Sequence, residues 1–287
     1  MKKIYTKLYD FLEIGDDFPT VIMGVINLSP ESFYKGSVYT ESEKIRDAAS
    51  QMIAEGAKMI DIGGRSTAPW SDKITIEEEV NRMNAAMDIV CKSIPENTII
   101  SVDTQYREVA ENAFNIANKE KRKIIINDVS CLKTDPSLVD FIIAKDLPII
   151  IMASKEIPGD LCTIEKIIGE FDNTIKNLKK KGYNENNIIL DPGIGHWIEK
   201  KIHLYDLKII GNLQRLKKLN KPILIAISRK SFIGTTLNIP DPENRLNGTL
   251  SATAIAVFNG AHVVRTHDVN DQLLEIIKMA EEVRKNI

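Results

Sequence analysis

Eight short runs of apolar, β-prone residues recur along the chain, with helical periodicity in the stretches between them. The runs are Val21–Ile26, Lys58–Ile62, Thr98–Val102, Lys123–Ile126, Pro148–Met152, Asn187–Leu190, Pro222–Ala226 and His262–Arg265. Each is continuous rather than alternating, the pattern of strands covered on both faces, as in a parallel sheet sheathed by helices. Between them Ile45, Ala48, Ala49, Met52 and Ile53 form one stripe and Val109, Ala113, Phe114 and Ala117 a second. Leu204, Leu207, Ile210, Leu213 and Leu216 form a third, and Leu273, Ile276, Ile277 and Ala280 a fourth. These are helical spacings. Thr75 with Glu78 reads as a capping box. Asp135-Pro136 places a proline at a first helical turn, and Gly56, Gly182 and Gly260 suit helix C-caps. Strict alternation of eight such units predicts an α/β fold, a single (β/α)8 (TIM) barrel with a parallel eight-stranded core, for which about 250 residues is typical. A doubly wound open sheet would favour a Gly-rich turn after the first strand, where this chain has Asn27-Leu28-Ser29-Pro30. No linker or shift in composition divides the chain. Residues 1–20 are read as an extension covering the bottom of the barrel, and 21–287 as the barrel domain.

Composition narrows the classes of function. The 287 residues are 43% hydrophobic and 27% charged, with mean hydropathy −0.14, which is ordinary globular composition. A net charge of −2 and a pI near 6.2 leave no electrostatic footprint for nucleic acid. No apolar run approaches the roughly 20 residues needed to span a bilayer. Cys91, Cys131 and Cys162 are widely spaced and make no CxxC pair, so reduced thiols are expected rather than a zinc ribbon or a disulfide framework. Met1-Lys2-Lys3 is followed by acidic residues without an apolar stretch, so a cytoplasmic protein is expected.

In a barrel of this kind the chemistry sits at the C-terminal ends of the strands. Those ends are Asn27, Asp61-Ile62-Gly63-Gly64-Arg65-Ser66-Thr67, Asp103-Thr104, Asn127-Asp128, Met152, Asp191-Pro192-Gly193-Ile194-Gly195, Ser228-Arg229-Lys230-Ser231 and Arg265-Thr266-His267-Asp268. Carboxylates and amides lie on one side, and Lys, Arg and His on the other. That suits a ligand with a hydrogen-bond-donating part and an anionic part. A 2-amino-4-oxo pterin or a guanine offers adjacent N–H groups to a carboxylate, and a phosphate or diphosphate suits Arg and a charged or donor His. Singly, each feature has a plainer reading. Asp103 or Asp128 caps a helix, Arg229-Lys230 is a solvated pair, and Gly63-Gly64 is turn chemistry. Their coincidence at nearly every strand end favours a site.

At these same residues the sequence resembles the dihydropteroate synthase family of pterin-binding barrels, across essentially the whole chain from Val21. The resemblance runs through Met23-Gly24-Val25-Ile26-Asn27-Leu28-Ser29-Pro30-Glu31-Ser32-Phe33, Glu55-Gly56-Ala57 to Thr67, Ser101-Val102-Asp103-Thr104 and Asn127-Asp128-Val129-Ser130. It continues through Asp191-Pro192-Gly193-Ile194-Gly195, Ser228-Arg229-Lys230-Ser231-Phe232 and Arg265-Thr266-His267-Asp268-Val269, in family order. It implies a transferase that condenses 6-hydroxymethyl-7,8-dihydropterin diphosphate with an arylamine, releasing diphosphate, in folate or methanopterin biosynthesis. By that analogy Asp103, Asn127, Met152, Asp191 and Lys230 hold the pterin. Asn27, Ser66, Thr67, Arg265 and His267 hold the diphosphate, Asn27 approaches it through Mg²⁺, and Lys230, Arg265 and His267 are the catalytic group. A homodimer is implied as well; the apolar stripes of the last helices are by themselves accounted for by barrel packing.

The arylamine half departs from the family pattern. Ser66-Thr67-Ala68-Pro69-Trp70 has Ala68 where the family usually has Arg, and His196-Trp197 follows Gly195 where a Phe is usual. Ala153-Ser154-Lys155 replaces a His-Met pair, and Tyr34-Lys35-Gly36 replaces Ser-Asp-Gly. In one reading the loops suit a larger, sugar-phosphate-bearing aniline, with Lys35, Lys155 and His196 offering charge and Trp70 or Trp197 stacking on a ring. In the other they are ordinary exposed loop residues of a pterin-binding paralogue with lost or altered activity. A third possibility is a methyltransferase using methyltetrahydropterin. The basic residues at 228–231 and 265–267 argue against it, because that reaction has no leaving diphosphate.

Overall fold

The computed structural model describes residues 3–29, 36, 38–39, 41–66, 73–195, 198 and 201–286. The chain opens with an antiparallel hairpin, β1 (Tyr5–Leu8) and β2 (Leu12–Gly15), followed by the first barrel strand, β3 (Val21–Asn27). Then come α1 (Ser42–Ala54), β4 (Met59–Gly63), α2 (Ile76–Ser93), β5 (Ile99–Asp103), α3 (Arg107–Lys119), β6 (Lys123–Asp128), α4 (Ser137–Ala144), β7 (Ile149–Met152) and α5 (Ile164–Lys180). The last third is β8 (Ile188–Asp191), α6 (His203–Gly211), β9 (Leu224–Ala226), α7 (Ser231–Leu237), α8 (Leu246–Phe258), β10 (Val263–Thr266) and α9 (Asp271–Lys285). Strands β3 to β10 form one parallel eight-stranded sheet in the order β8-β7-β6-β5-β4-β3-β10-β9. A parallel bridge between Leu190 and Ile223 joins its two edges, so the barrel closes.

The eight runs are the eight barrel strands, within a residue or two at each end. Their continuous apolarity has the expected cause. One set of side chains, including Met23, Met59, Ile99, Ile125, Ile150, Ile189, Leu224 and Val263, fills the barrel interior. The alternate set, including Ile22, Ile60, Ile100, Ile126, Ile149 and Ile225, packs under the helices. Thr75 and Glu78 make the capping box of α2. Gly56, Gly182 and Gly260 have φ of +105°, +84° and +103°, just past the ends of α1, α5 and α8, as C-caps require. Pro136 stands one residue ahead of α4, and Asp135 accepts the backbone N–H of Ser137.

Three features differ from the sequence reading or extend it. The hairpin was not anticipated as strands. Its Leu8, Leu12 and Ile14 join the interior cluster, Tyr9 Oη donates to the Ile124 carbonyl and Thr6 Oγ1 to that of Asn186, near the starts of β6 and β8. The third stripe breaks. Leu204 and Leu207 are 47% and 36% exposed, while Ile209, Ile210, Leu213 and Leu216 are buried. Helix α6 stops at Gly211 and the chain continues as a 3₁₀ turn over Leu213–Leu219, whose three-residue period shifts the phase of the apolar face. Barrel packing also leaves part of the last helices uncovered. Ile255, Phe258, Met279 and Val283 are 40–66% exposed. No described helix is long and apolar enough to cross a membrane.

Candidate active site

Strand register sets the rim of the site. Asn27 pairs with Gly63, Gly63 with Asp103, and Asp103 with Asn127, so the ends of β3 to β6 line up side by side. Met152, at the end of β7, pairs with Asp191, at the end of β8. Arg265 starts deeper, beside Met23 and Ala226, and its long side chain reaches toward the rim.

That side chain ties the site together. Arg265 Nε donates to Asp61 Oδ2 (2.6 Å) and Nη2 to Asp103 Oδ2 (3.2 Å). Asn127 Nδ2 donates to the other oxygen of Asp61 at 3.2 Å, and Ser101 Oγ donates there too. Burial opposes the Arg265 charge, but Asp61 and Asp103 outweigh it and hold the guanidinium above its ordinary value. Burial, then the neighbouring Asp61 charge, pushes the Asp103 carboxyl up to about 8, against the pull of Arg265. Asp103 is therefore no helix cap. Asp128 is not one either: its carboxylate accepts the N–H groups of Ser130 and Leu132 in a turn, and the next helix, α4, starts only at Ser137.

The turn after β8 joins Asp191 to Lys230. Gly193 N–H donates to Asp191 Oδ1 (2.8 Å), and Lys230 Nζ donates to the Ile194 carbonyl (2.6 Å). Burial raises the Asp191 pKa although Lys230 opposes it. Burial, reinforced by Arg265, lowers Lys230 to about 8. A Cβ on Gly195 would stand 2.5 Å from Lys230 Cδ, and Gly195 has φ +71°, so the ammonium reaches the Ile194 carbonyl only past a glycine. Beneath the turn lies a buried pair. Lys201 Nζ contacts Asp206 (3.2 Å) and donates to the Gly193 carbonyl, while Asp206 accepts the Gly195 N–H. Met152 is buried against Gly193.

On the basic side, His267 Nδ1 lies 3.0 Å from Ser228 Oγ. Burial and the nearby Arg265, Lys230 and Arg229 charges lower its imidazole to about 3, so it is neutral near pH 7. Arg229 and Lys230 are not a solvated pair. Both are buried, and Arg229 makes a bidentate bond to Asp268 at 2.8 Å on each side and donates to the carbonyls of Pro242 and Glu243. Arg229 adopts φ +55°, a sparsely populated region for a non-glycine residue.

The structure thus brings Asp103, Asn127 and Arg265 into one bonded network and Asp191 and Lys230 around one turn, with Met152 beside it. His267 stands two residues beyond Arg265. Asn27 is half-buried at its strand end, its carbonyl accepting the Tyr39 N–H, and Ser66 is half-buried past β4. Thr67, Ala68 and Trp70 lie outside the described residues, as do Lys35, His196 and Trp197. Lys155 is exposed, and its backbone N–H bonds to Asp160. Sequence reasoning quotes Asp61 and Ser228 at strand ends without giving either a role, and it misses Lys201 with Asp206. Asp61 had a signal, a carboxylate inside the apolar run Met59–Ile62. The Lys201–Asp206 spacing has none.

Comparison with known proteins gives a consistent result. The pterin binding enzyme family matches residues 23–267. The dihydropteroate synthase of Bacillus subtilis is 33% identical over 91% of this chain and 88% of its own length. The solved structure of a dihydropteroate synthase from Coxiella burnetii in complex with pteroic acid is 32% identical, with TM-score 0.84 over 99% of this chain and all of that one. The Xanthomonas albilineans dihydropteroate synthase solved with 4-aminobenzoic acid is 26% identical, with TM-score 0.80 over 99% of both chains. The eight-stranded barrel, the polar rim at its strand ends and these likenesses across nearly the full chain lead to one assignment: the chain belongs to the pterin-binding enzymes, as a transferase of the dihydropteroate synthase family.

Proposed function

We propose that the site joins 6-hydroxymethyl-7,8-dihydropterin diphosphate to an arylamine. The observation that carries this reading is the division of one rim into acceptors (Asp103, Asn127, Asp191) and cations (Lys230, Arg265), bridged by the Arg265–Asp103 contact. Asp103, Asn127 and Asp191 accept the N–H groups of the pterin, Lys230 donates to an acceptor on its ring, and Met152 packs against its face. Arg265, His267 and Ser66 bind the diphosphate, His267 as a neutral N–H donor, and Thr67 joins them. The amine nitrogen attacks the methylene carbon, and the C–O bond breaks with its electron pair leaving on the diphosphate. The new ammonium then loses a proton to water. The protein mainly positions the partners and neutralises the leaving charge.

The donor set bears on the metal. Among the described residues no three His, Cys, Asp or Glu side chains cluster to hold an ion. Asn27 offers one neutral amide oxygen, which fits Mg²⁺ carried in by the diphosphate with its phosphate oxygens and waters. Bound there, Mg²⁺ would supply charge neutralisation for the leaving group.

A second copy of the chain completes this reading. Leu204, Leu207, Leu237, Ile255, Phe258, Met279 and Val283 are exposed on the neighbouring helices α6 to α9. Apolar surface gathered this way suits a homodimer better than solvent.

The testing experiment is diphosphate release with Mg²⁺, comparing p-aminobenzoate with a ribofuranosylaniline phosphate. Turnover with p-aminobenzoate marks a folate-pathway synthase. Turnover only with the sugar-bearing aniline marks a methanopterin-type enzyme. Pterin binding without release in either case overturns the synthase reading and leaves the binding paralogue or the methyltransferase.

A further inference from the structure

Asp61 sits in the middle of β4, fully buried, in a strand otherwise apolar. An ionised carboxylate survives without water only when paired and hydrogen-bonded. Asp61 satisfies this by reaching three elements at once: Ser101 on β5 (2.5 Å), Asn127 on β6 (3.2 Å) and Arg265 on β10 (2.6 Å).

Two consequences follow from the chemistry of a carboxylate, which only accepts. Arg265 is gripped by Asp61 at Nε and by Asp103 at Nη2, so the plane in which its guanidinium meets an anion is fixed. Asn127 must turn its amide nitrogen toward Asp61, so Oδ1 points the opposite way and offers an acceptor beside those of Asp103 and Asp191. An amide that could turn over would offer either a donor or an acceptor. Asp61 removes that choice.

We propose that Asp61 is a positioning and specificity-determining residue that couples the two halves of the site, orienting Arg265 for the anionic part of the substrate and Asn127 for the N–H edge of its ring. This rests on the functional reading given above, and the test separates the two. Asp61→Asn keeps the shape but removes the charge that holds Arg265 and places an amide N–H group against one of the donors, so the contacts to Arg265 and to Asn127 both weaken.

Calorimetric titration with 6-hydroxymethylpterin and, separately, with inorganic pyrophosphate plus Mg²⁺ reads each half. Both affinities are expected to fall about tenfold or more in Asp61→Asn. The preference for the 2-amino-4-oxo ring over its 2,4-dioxo counterpart should fall about fivefold, a change that general loosening of the barrel would not produce. Ser101→Ala removes one donor to Asp61 and leaves every ligand-facing group in place. It should lower both affinities together, about two- to fivefold, and it serves if Asp61→Asn does not fold. An unchanged affinity for either fragment, or an unchanged ring preference, in a folded Asp61→Asn overturns the coupling. So do unchanged affinities in Ser101→Ala. If the native chain binds neither fragment, the functional reading fails first and the coupling falls with it.

Discussion

Asp103 and Lys230 are each held far from their ordinary charge behaviour, Asp103 raised to about 8 and Lys230 lowered to about 8. Groups poised this way give a pH signature. Asp103 becomes a full acceptor as pH rises through about 8, and Lys230 loses its proton over the same range. kcat/KM for the pterin diphosphate should therefore be bell-shaped with a maximum near pH 8. Asp103→Asn should flatten the acid limb and Lys230→Met the alkaline one, each at about a hundredfold loss of kcat/KM. The same shift makes Asp103 costly to the fold. Its folded-state pKa lies above its unfolded value of 3.8, so the folded protein holds the extra proton, and the penalty grows as pH rises from about 4 to 8, then levels. Asp103→Asn should raise Tm by about 2–4 °C at pH 8 and by less at pH 5, read by calorimetry. The polar strand-end residues were legible from the chain because the barrel rule says where to look. The role of Asp61 was not, because it depends on partners 40, 66 and 204 positions away. The charge state of His267 was likewise hidden, since it is set by burial and by Arg265, Lys230 and Arg229, the last two brought near it only by folding.

At the scale of elements, the turn after β8 shows how a loop is held for function. Lys201 and Asp206 are almost wholly buried, and each bonds to the backbone of the Gly193–Gly195 turn. Removing one partner strands the other charge in a dry place. Asp206→Ala should cost about 3–5 kcal/mol of stability by chemical denaturation. The pair Lys201→Met with Asp206→Leu should recover most of that loss while leaving pterin affinity reduced, because the turn loses its backbone anchors. The eight strands could be read from continuous apolar runs, and the C-caps from glycines whose positive φ other residues resist. The hairpin was harder to see. Its strands have four residues each and gain their meaning only by closing the interior of the barrel. The third stripe failed because Gly211 and Asn212 interrupt the helix and alter its period.

For the whole molecule, the uncovered apolar residues on α6 to α9 predict a twofold dimer, with a mass in sedimentation twice that of the 32.2 kDa chain. Met279→Glu combined with Ile255→Glu should give a monomer; a native chain already sedimenting as a monomer would refute the interface. The central claim is that this barrel makes a carbon–nitrogen bond at the expense of a diphosphate. Quantifying the coupled product by mass spectrometry alongside released diphosphate, in one reaction with dihydropterin diphosphate, Mg²⁺ and the accepted amine, tests it most directly. The account predicts one coupled product for each diphosphate released, with release dependent on the amine. Diphosphate released without coupled product, or at the same rate without amine, would make the protein a hydrolase and contradict it.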